Sequence, residues 1–168
     1  NDDSVFVSPG TYVENINLSG RSLSLISTDG PESTVIDGGQ NGRVVSFDNP
    51  NSTDAYSIID GFTIRNGQWD ASGAGINIYY GNMDLVDLII ENNESTADDG
   101  GGFSIEYGHA NIDNCLIRNN NANRGGGLAI RVDSEVNVTE SVIENNFASG
   151  KGAGIYISNA TSQLNNLI

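Results

Sequence analysis

The sequence is short of the residues on which most metal and covalent chemistry relies. Its 168 residues include one cysteine (Cys115), one histidine (His109), one lysine (Lys151), one tryptophan and one methionine. A single cysteine excludes an internal disulfide framework and any cysteine-based zinc cluster. A single histidine excludes a histidine-rich metal site and any mechanism that needs two imidazoles. Cations are scarce as well: Lys and Arg number 7 against 22 Asp and Glu, for a net charge of -15. Phosphate recognition needs clustered Lys and Arg, so nucleic acid is excluded as a partner. The same balance argues against an anionic membrane surface. No apolar run reaches the roughly 18 residues that a membrane-spanning helix requires, so no membrane insertion is expected.

Glycine and asparagine are what the chain has in excess, with 21 Gly and 23 Asn. That composition alone would suit disorder, but the apolar residues are regularly spaced, which disorder does not produce. Ile64-Arg65-Asn66-Gly67 recurs as Ile90-Glu91-Asn92-Asn93, Ile117-Arg118-Asn119-Asn120 and Ile143-Glu144-Asn145-Asn146, at steps of 26, 27 and 26. A glycine block follows each copy: Gly73-Ala74-Gly75, Gly100-Gly101-Gly102, Gly125-Gly126-Gly127 and Gly152-Ala153-Gly154, at steps of 27, 25 and 27. Alternating apolar pairs (Met83 and Leu85, Ala110 and Ile112, Val136 and Val138) keep the same period. Two independent blocks holding one period over four copies mark a solenoid.

Within each repeat, short alternating stretches separated by Gly, Asn and Asp read as strands and turns, with no helical period of useful length. One such repeat cannot bury a core alone, but stacked repeats can. The expected fold is an all-β parallel β-helix of about six coils, roughly 26 residues each. It forms a single domain over residues 1–168, with irregular first coils over 1–56 and regular repeats over 57–168. Taking Ile117 as inward, strict alternation also turns Cys115 and Asn119 inward. Asn66, Asn92, Asn119 and Asn145 are then expected to form a buried amide ladder. The next column, Gly67, Asn93, Asn120 and Asn146, is expected to bend the chain through a left-handed backbone. Arg65, Glu91, Arg118 and Glu144 alternate in sign and predict a surface ion-pair ladder.

The Ile-x-x-Asn and Gly-Gly-Gly-Leu/Phe blocks resemble the paired repeats of polymorphic outer membrane proteins. More broadly they resemble right-handed parallel β-helix surface proteins. The stretch Val7-Ser8-Pro9-Gly10-Thr11-Tyr12-Val13-Glu14-Asn15-Ile16 is similar to the first coil of many such chains, including pectin-esterase-like and pectate-lyase-like ones. The resemblance covers nearly the whole chain and implies a right-handed coil. It does not select a function, because this repeat serves adhesins, fibres and polysaccharide enzymes alike.

Candidate sites come from the outward columns. Asp99, Glu106, Arg124 and Arg131 form the best enzymatic constellation, a mixed-charge cleft suited to an acidic polysaccharide; the alternative is a charged, solvated rim that holds coils in register. Asp70, Asp98 and Asp99 fall in adjacent loops and are the candidates for a shared Ca²⁺, the one cofactor the sequence suggests. Trp69, Tyr79 and Tyr156 offer stacking faces for sugar rings, whereas Tyr80 and Tyr107 are expected in the core. Cys115 shares a column with Leu88 and Ser141 and reads as a small buried thiol. Thr63, Ile89, Leu116 and Val142 form an outward, mostly apolar strip, covered either by a loop of the same chain or by a partner subunit. Asn-x-Ser/Thr triplets begin at Asn17, Asn51, Asn93, Asn137 and Asn159.

The sequence starts at Asn1-Asp2-Asp3 without a leader and stops at Ile168 where another Asn turn is due. The expectation is a fragment of a longer solenoid, or else a subunit whose open ends stack head to tail. The function expected is an extracellular, non-catalytic module of a surface adhesin, stalk or fibre, with a glycan or cell-surface ligand. The alternative is a lyase or hydrolase domain acting on acidic glycans.

Overall fold

The computed structural model describes residues 3–49 and 55–167. The chain winds as a parallel β-solenoid of four sheets, entered in a fixed order. The first sheet stacks Asp3–Val7, Leu23–Ser27, Tyr56–Asp60, Asn82–Val86, His109–Asp113, Glu135–Thr139 and Thr161–Asn165. The second stacks Gly10–Val13, Thr34–Asp37, Thr63–Arg65, Ile89–Glu91, Leu116–Arg118 and Val142–Glu144. A short third sheet begins only at Gln68–Trp69 and continues through Glu94–Ser95, Asn121–Arg124 and Phe147–Lys151. The fourth runs from Ile16–Asn17 through Val45–Asp48, Ile76–Tyr79, Phe103–Glu106 and Leu128–Arg131 to Ile155–Ser158. Equivalent repeat positions are register partners, as in Ile90 with Ile64 and Ile117. Strand spacing of about 4.8 Å therefore stacks like on like along the axis.

Each regular coil turns four corners, and each corner has its own column of left-handed residues. Gly61, Asp87, Asn114 and Glu140 turn the first sheet into the second, and Asn66, Asn92, Asn119 and Asn145 turn the second into the third. Gly73, Gly100, Gly125 and Gly152 lead into the fourth sheet, and Tyr80, Tyr107, Val132, Asp133 and Asn159 lead back to the first. Left-handed backbone is nearly free for Gly and tolerable for Asn, which accounts for much of the surplus of both.

The asparagine ladder is displaced by one residue from its expected place. Asn92, Asn119 and Asn145 are exposed, and Asn66 is only half-buried. Their φ angles of 52–56° put them on the corner itself. Such a corner breaks the two-residue alternation, so it is the following residue that turns inward. Asn93 and Asn120 are buried, with Asn146 stacked below them. Asn93 Nδ2 donates to Asn120 Oδ1 at 3.0 Å and Asn120 Nδ2 donates to Asn146 Oδ1 at 3.1 Å. The same amides cap carbonyls freed at the corner, those of Ile64, Ile90 and Ile117. Gly67 opens the column because a Cβ there would lie 2.1 Å from the Ala74 carbonyl oxygen.

The core is one apolar column around the axis, including Phe47, Phe62, Phe103, Ile64, Ile90, Ile117 and Leu128. Cys115 is buried within it, beside Leu88 and above Ser141, whose Oγ accepts from the Cys115 N–H at 3.0 Å. Burial pushes its thiol up to about 12. Native protein at pH 8 is therefore expected to resist a thiol reagent, and Cys115 to label only at the rate of unfolding. Labelling at the rate of a free thiol in folded protein would contradict this placement.

Two outward columns are more covered than alternation implies. Asn77, Ser104 and Ala129 point away from the axis yet are buried, because the glycine corners fold over them. A Cβ on Gly100 would meet Ser104 Cβ at 2.8 Å, which is why no side chain stands there. Ser104 Oγ has no hydrogen-bond partner among the described residues. In the apolar strip, the Pro31 carbonyl accepts from Thr63 Oγ1 at 2.8 Å, and Thr63 and Ile89 are buried. Leu116 and Val142 remain half-buried beyond the Pro31–Glu32 turn.

Tyr80 and Tyr107 are not core residues. They are half-exposed corner residues whose rings stack at 4.5 Å and 5°, with Tyr79 edge-on to both. An aromatic pair contributes about 0.5–1.5 kcal/mol, which offsets much of the left-handed penalty of about 1–2 kcal/mol. Val132 follows in that column at φ 36° with no such compensation. A β-branched residue is badly suited to that backbone. Val132→Asn is expected to stabilise by about 1 kcal/mol, read as a rise of roughly 2–4 °C in Tm.

Candidate functional site

The fourth sheet and its glycine corners gather the polar chemistry of the molecule onto one face. Asp99 ends the loop from the third sheet, while Arg131 and Glu106 close adjacent strands of the fourth as register partners. Arg124 lies beside Asp99 through a parallel backbone bridge. The four sequence candidates Asp99, Glu106, Arg124 and Arg131 do meet. Arg124 Nε donates to Asp99 Oδ1 at 2.7 Å, and Arg131 Nη1 lies 2.8 Å from Asp99 Oδ2. Arg131 Nη1 is also 3.4 Å from Glu106 Oε1. Asp98 joins them, 3.7 Å from both guanidinium groups, and accepts from Ser72 Oγ at 2.9 Å. Tyr156 lies under the Arg124 guanidinium, 5.0 Å from ring centroid to Cζ.

This cluster is closed on itself. The Asp99 side chain has 0% exposure and both its oxygens face arginine. Hydrogen bonding to Asp99, against the pull of burial, holds Arg124 above its ordinary value, so it is no general base. The arrangement ties the loop before the glycine corner onto the strand below it. Of the calcium candidates, Asp99 is buried between two guanidinium groups, while Asp98 is part-exposed and 3.7 Å from both. Asp70 lies apart from them, exposed in the groove beside Trp69. Among the described residues no three His, Cys, Asp or Glu side chains converge as a metal would need.

The ion-pair column is broken into two separate pairs. Arg118 holds Glu91 at 2.8 Å, and Arg65 holds Asp37 at 2.9 Å. Burial alone would raise the Asp37 carboxyl, but the Gly39 N–H, Arg65 and Asn66 outweigh it and hold it below its ordinary value. Glu144 stands exposed at the far end of the column. His109 is an exposed surface residue, 3.4 Å from Glu135. Asn93 is locked in the ladder and is no glycan acceptor, whereas Asn17, Asn137 and Asn159 are exposed. Asn51 lies outside the described residues, as do Asn1, Asp2 and Ile168.

A second site lies at the other end of the same face. Trp69, 40% exposed, stands between two shallow open depressions. Arg43 stacks over its ring at 5.4 Å, and Arg43 Nε donates to the Ser72 carbonyl at 2.9 Å. Ser72 thereby links this groove to the charged cluster. Burial lowers the Arg43 guanidinium from its ordinary value, while Asp48 and Asp70 pull it back up. Sequence reasoning had Trp69 but missed Arg43 and Asp48. No repeated block marks them: in this coil Val45 pairs with Ile76 and Asp48 with Tyr79, a longer step than the regular one, so the period does not lead from Trp69 to Arg43.

The family described as right handed beta helix region matches residues 45–168. The chain belongs to that family. The match is to the general β-helix repeat rather than to the polymorphic outer membrane subclass. Pectin methylesterase PemA from Erwinia chrysanthemi is similar to this β-helix with a TM-score of 0.62 at 10% sequence identity, over 97% of the chain. The chain spans 58% of that enzyme's length. At this identity the likeness concerns the fold alone. No curated protein sequence matches the chain significantly.

Proposed function

We propose that this β-helix is a non-catalytic module of an extracellular or cell-surface protein, an adhesin, stalk or fibre unit that presents a long rigid face. One observation carries the reading: the strongest catalytic constellation, Asp99 with Arg124, Arg131 and Glu106, is consumed by its own ion pairs. A carboxylate without exposed surface cannot reach a substrate, and guanidinium groups held by internal acids are not free to clamp one. The test is turnover. Incubation with neutral and acidic polysaccharides, methyl-esterified pectin included, is expected to release neither reducing ends, unsaturated products nor methanol.

A polysaccharide-active domain is the second reading, favoured by the meeting of those four residues and by the fold shared with a pectin methylesterase. If turnover is found, Glu106→Gln decides it, because Glu106 is half-exposed and its loss leaves Asp99 paired. Head-to-tail association belongs to the first reading. Val5, Phe6 and Val13 on one terminal coil, and Phe147, Ile157 and Leu164 on the other, are exposed apolar residues at parallel strand edges. Such edges template pairing. Concentration-dependent sedimentation is the expected result, and strictly monomeric behaviour at high concentration would remove this part.

A further inference from the structure

We propose that the groove around Trp69 is a binding site for a neutral oligosaccharide, with the indole as its stacking floor. This deepens the display-module reading and rests on it only in expecting binding without turnover. The floor is half apolar and preformed: the indole is held under Arg43, and Arg43 is itself anchored on the Ser72 carbonyl. Around it, Asn15, Asn17, Asn41 and Asp48 line one depression with amide and carboxylate groups. A pyranose ring has the matching chemistry, since its C–H face packs on an aromatic plane while its hydroxyls exchange hydrogen bonds with amides and carboxylates. The depressions on either side of Trp69, about 330 and 400 Å³, are both open to solvent. Two open troughs that share one aromatic ridge suit an extended chain of sugars better than a compact ligand.

Charge selects the class of sugar. Among the described residues Arg43 is the one cation lining the groove, and it faces the two carboxylates Asp48 and Asp70, in a chain whose net charge is -15. A uronate would meet a net negative wall, whereas a neutral hexose would not.

The chain contains a single tryptophan, so indole fluorescence reads this groove and nothing else. Titration with cellohexaose or mannohexaose is expected to give a saturable change in emission, with oligogalacturonate binding at least about tenfold more weakly. Arg43→Ala and Asp48→Ala should each weaken binding by about tenfold, and calorimetry on Trp69→Ala should show none. Folding of each variant is checked by circular dichroism. The proposal is overturned by an absence of saturable response to either neutral hexamer, by unchanged binding in Trp69→Ala, or by oligogalacturonate binding as tightly. Release of reducing ends from a bound hexamer would overturn the non-catalytic reading and leave the site standing.

Discussion

Asn120→Ala is expected to lower the unfolding free energy by about 3–5 kcal/mol, because it strands several buried groups at once. The Asn120 amide accepts from the Asn93 N–H and from Asn93 Nδ2, both at 3.0 Å. It donates to the Ile90 carbonyl at 2.9 Å and to Asn146 Oδ1 at 3.1 Å. Truncation takes the side-chain partner from the Asn93 N–H and from the Ile90 carbonyl. It also takes one of two bonds each from Asn93 Nδ2, which keeps the Ile64 carbonyl, and Asn146 Oδ1, which keeps the Asn120 N–H. Each buried group left unsatisfied costs about 1–3 kcal/mol before any water enters. Asn120→Asp is nearly isosteric yet no remedy, since an oxygen would then face the Ile90 and Asn146 oxygens. The neighbouring Asn119→Ala removes no buried bond and loses only the tolerance of its left-handed backbone, about 1–2 kcal/mol. Asn119→Gly should recover most of that loss. Urea denaturation of these variants measures the difference. A larger effect at Asn119 than at Asn120 would return the ladder to the position that strict alternation assigns it.

That one-residue displacement shows what repetition can and cannot reveal. The period, the parallel stacking and the inward Ile64, Ile90 and Ile117 were legible, because an apolar residue that recurs at one step in successive coils marks a position stacked in the core. The phase after a corner was not. Both Asn119 and Asn120 recur as Asn, and nothing in the pair says which takes φ near 55° and which turns its amide inward. One sign was present but faint: the outer column holds Asn in all four copies, while the inner begins with Gly67, where the Ala74 carbonyl leaves no room for a Cβ. Tyr80 and Tyr107 were misplaced for a related reason. Large aromatic residues usually belong to a core, and only the stack between adjacent coils makes a left-handed tyrosine tolerable.

The charged cluster was legible as a group but not in its role. The step of 25 between the second and third glycine blocks places Asp99 beside Arg124 and Glu106 beside Arg131, as the register has it. Burial is a different matter, since it depends on how the glycine corner folds across the sheet. The same corner hides Asn77, Ser104 and Ala129. The Trp69 groove was harder still. Its lining comes from the irregular first coils, where Arg43 and Asp48 belong to no repeated block.

The Arg124→Ala, Arg131→Ala double variant separates a buried brace from a solvated rim by magnitude. Exposed ion pairs are worth about 0–1 kcal/mol each, so a rim would lose little when both arginines go. A brace behaves otherwise. Asp99 has 0% side-chain exposure, with Arg124 Nε at 2.7 Å from one oxygen and Arg131 Nη1 at 2.8 Å from the other. Removing both cations leaves a desolvated carboxylate without compensation, and the expected loss is about 3–5 kcal/mol. The sharper measurement adds Asp99→Asn to the double variant. A neutral amide needs no counter-charge, so the triple variant should regain about 1–3 kcal/mol although it retains fewer native groups. If the triple variant is no more stable than the double, Asp99 is hydrated in solution, its arginines are available, and the acidic-glycan reading regains its residues.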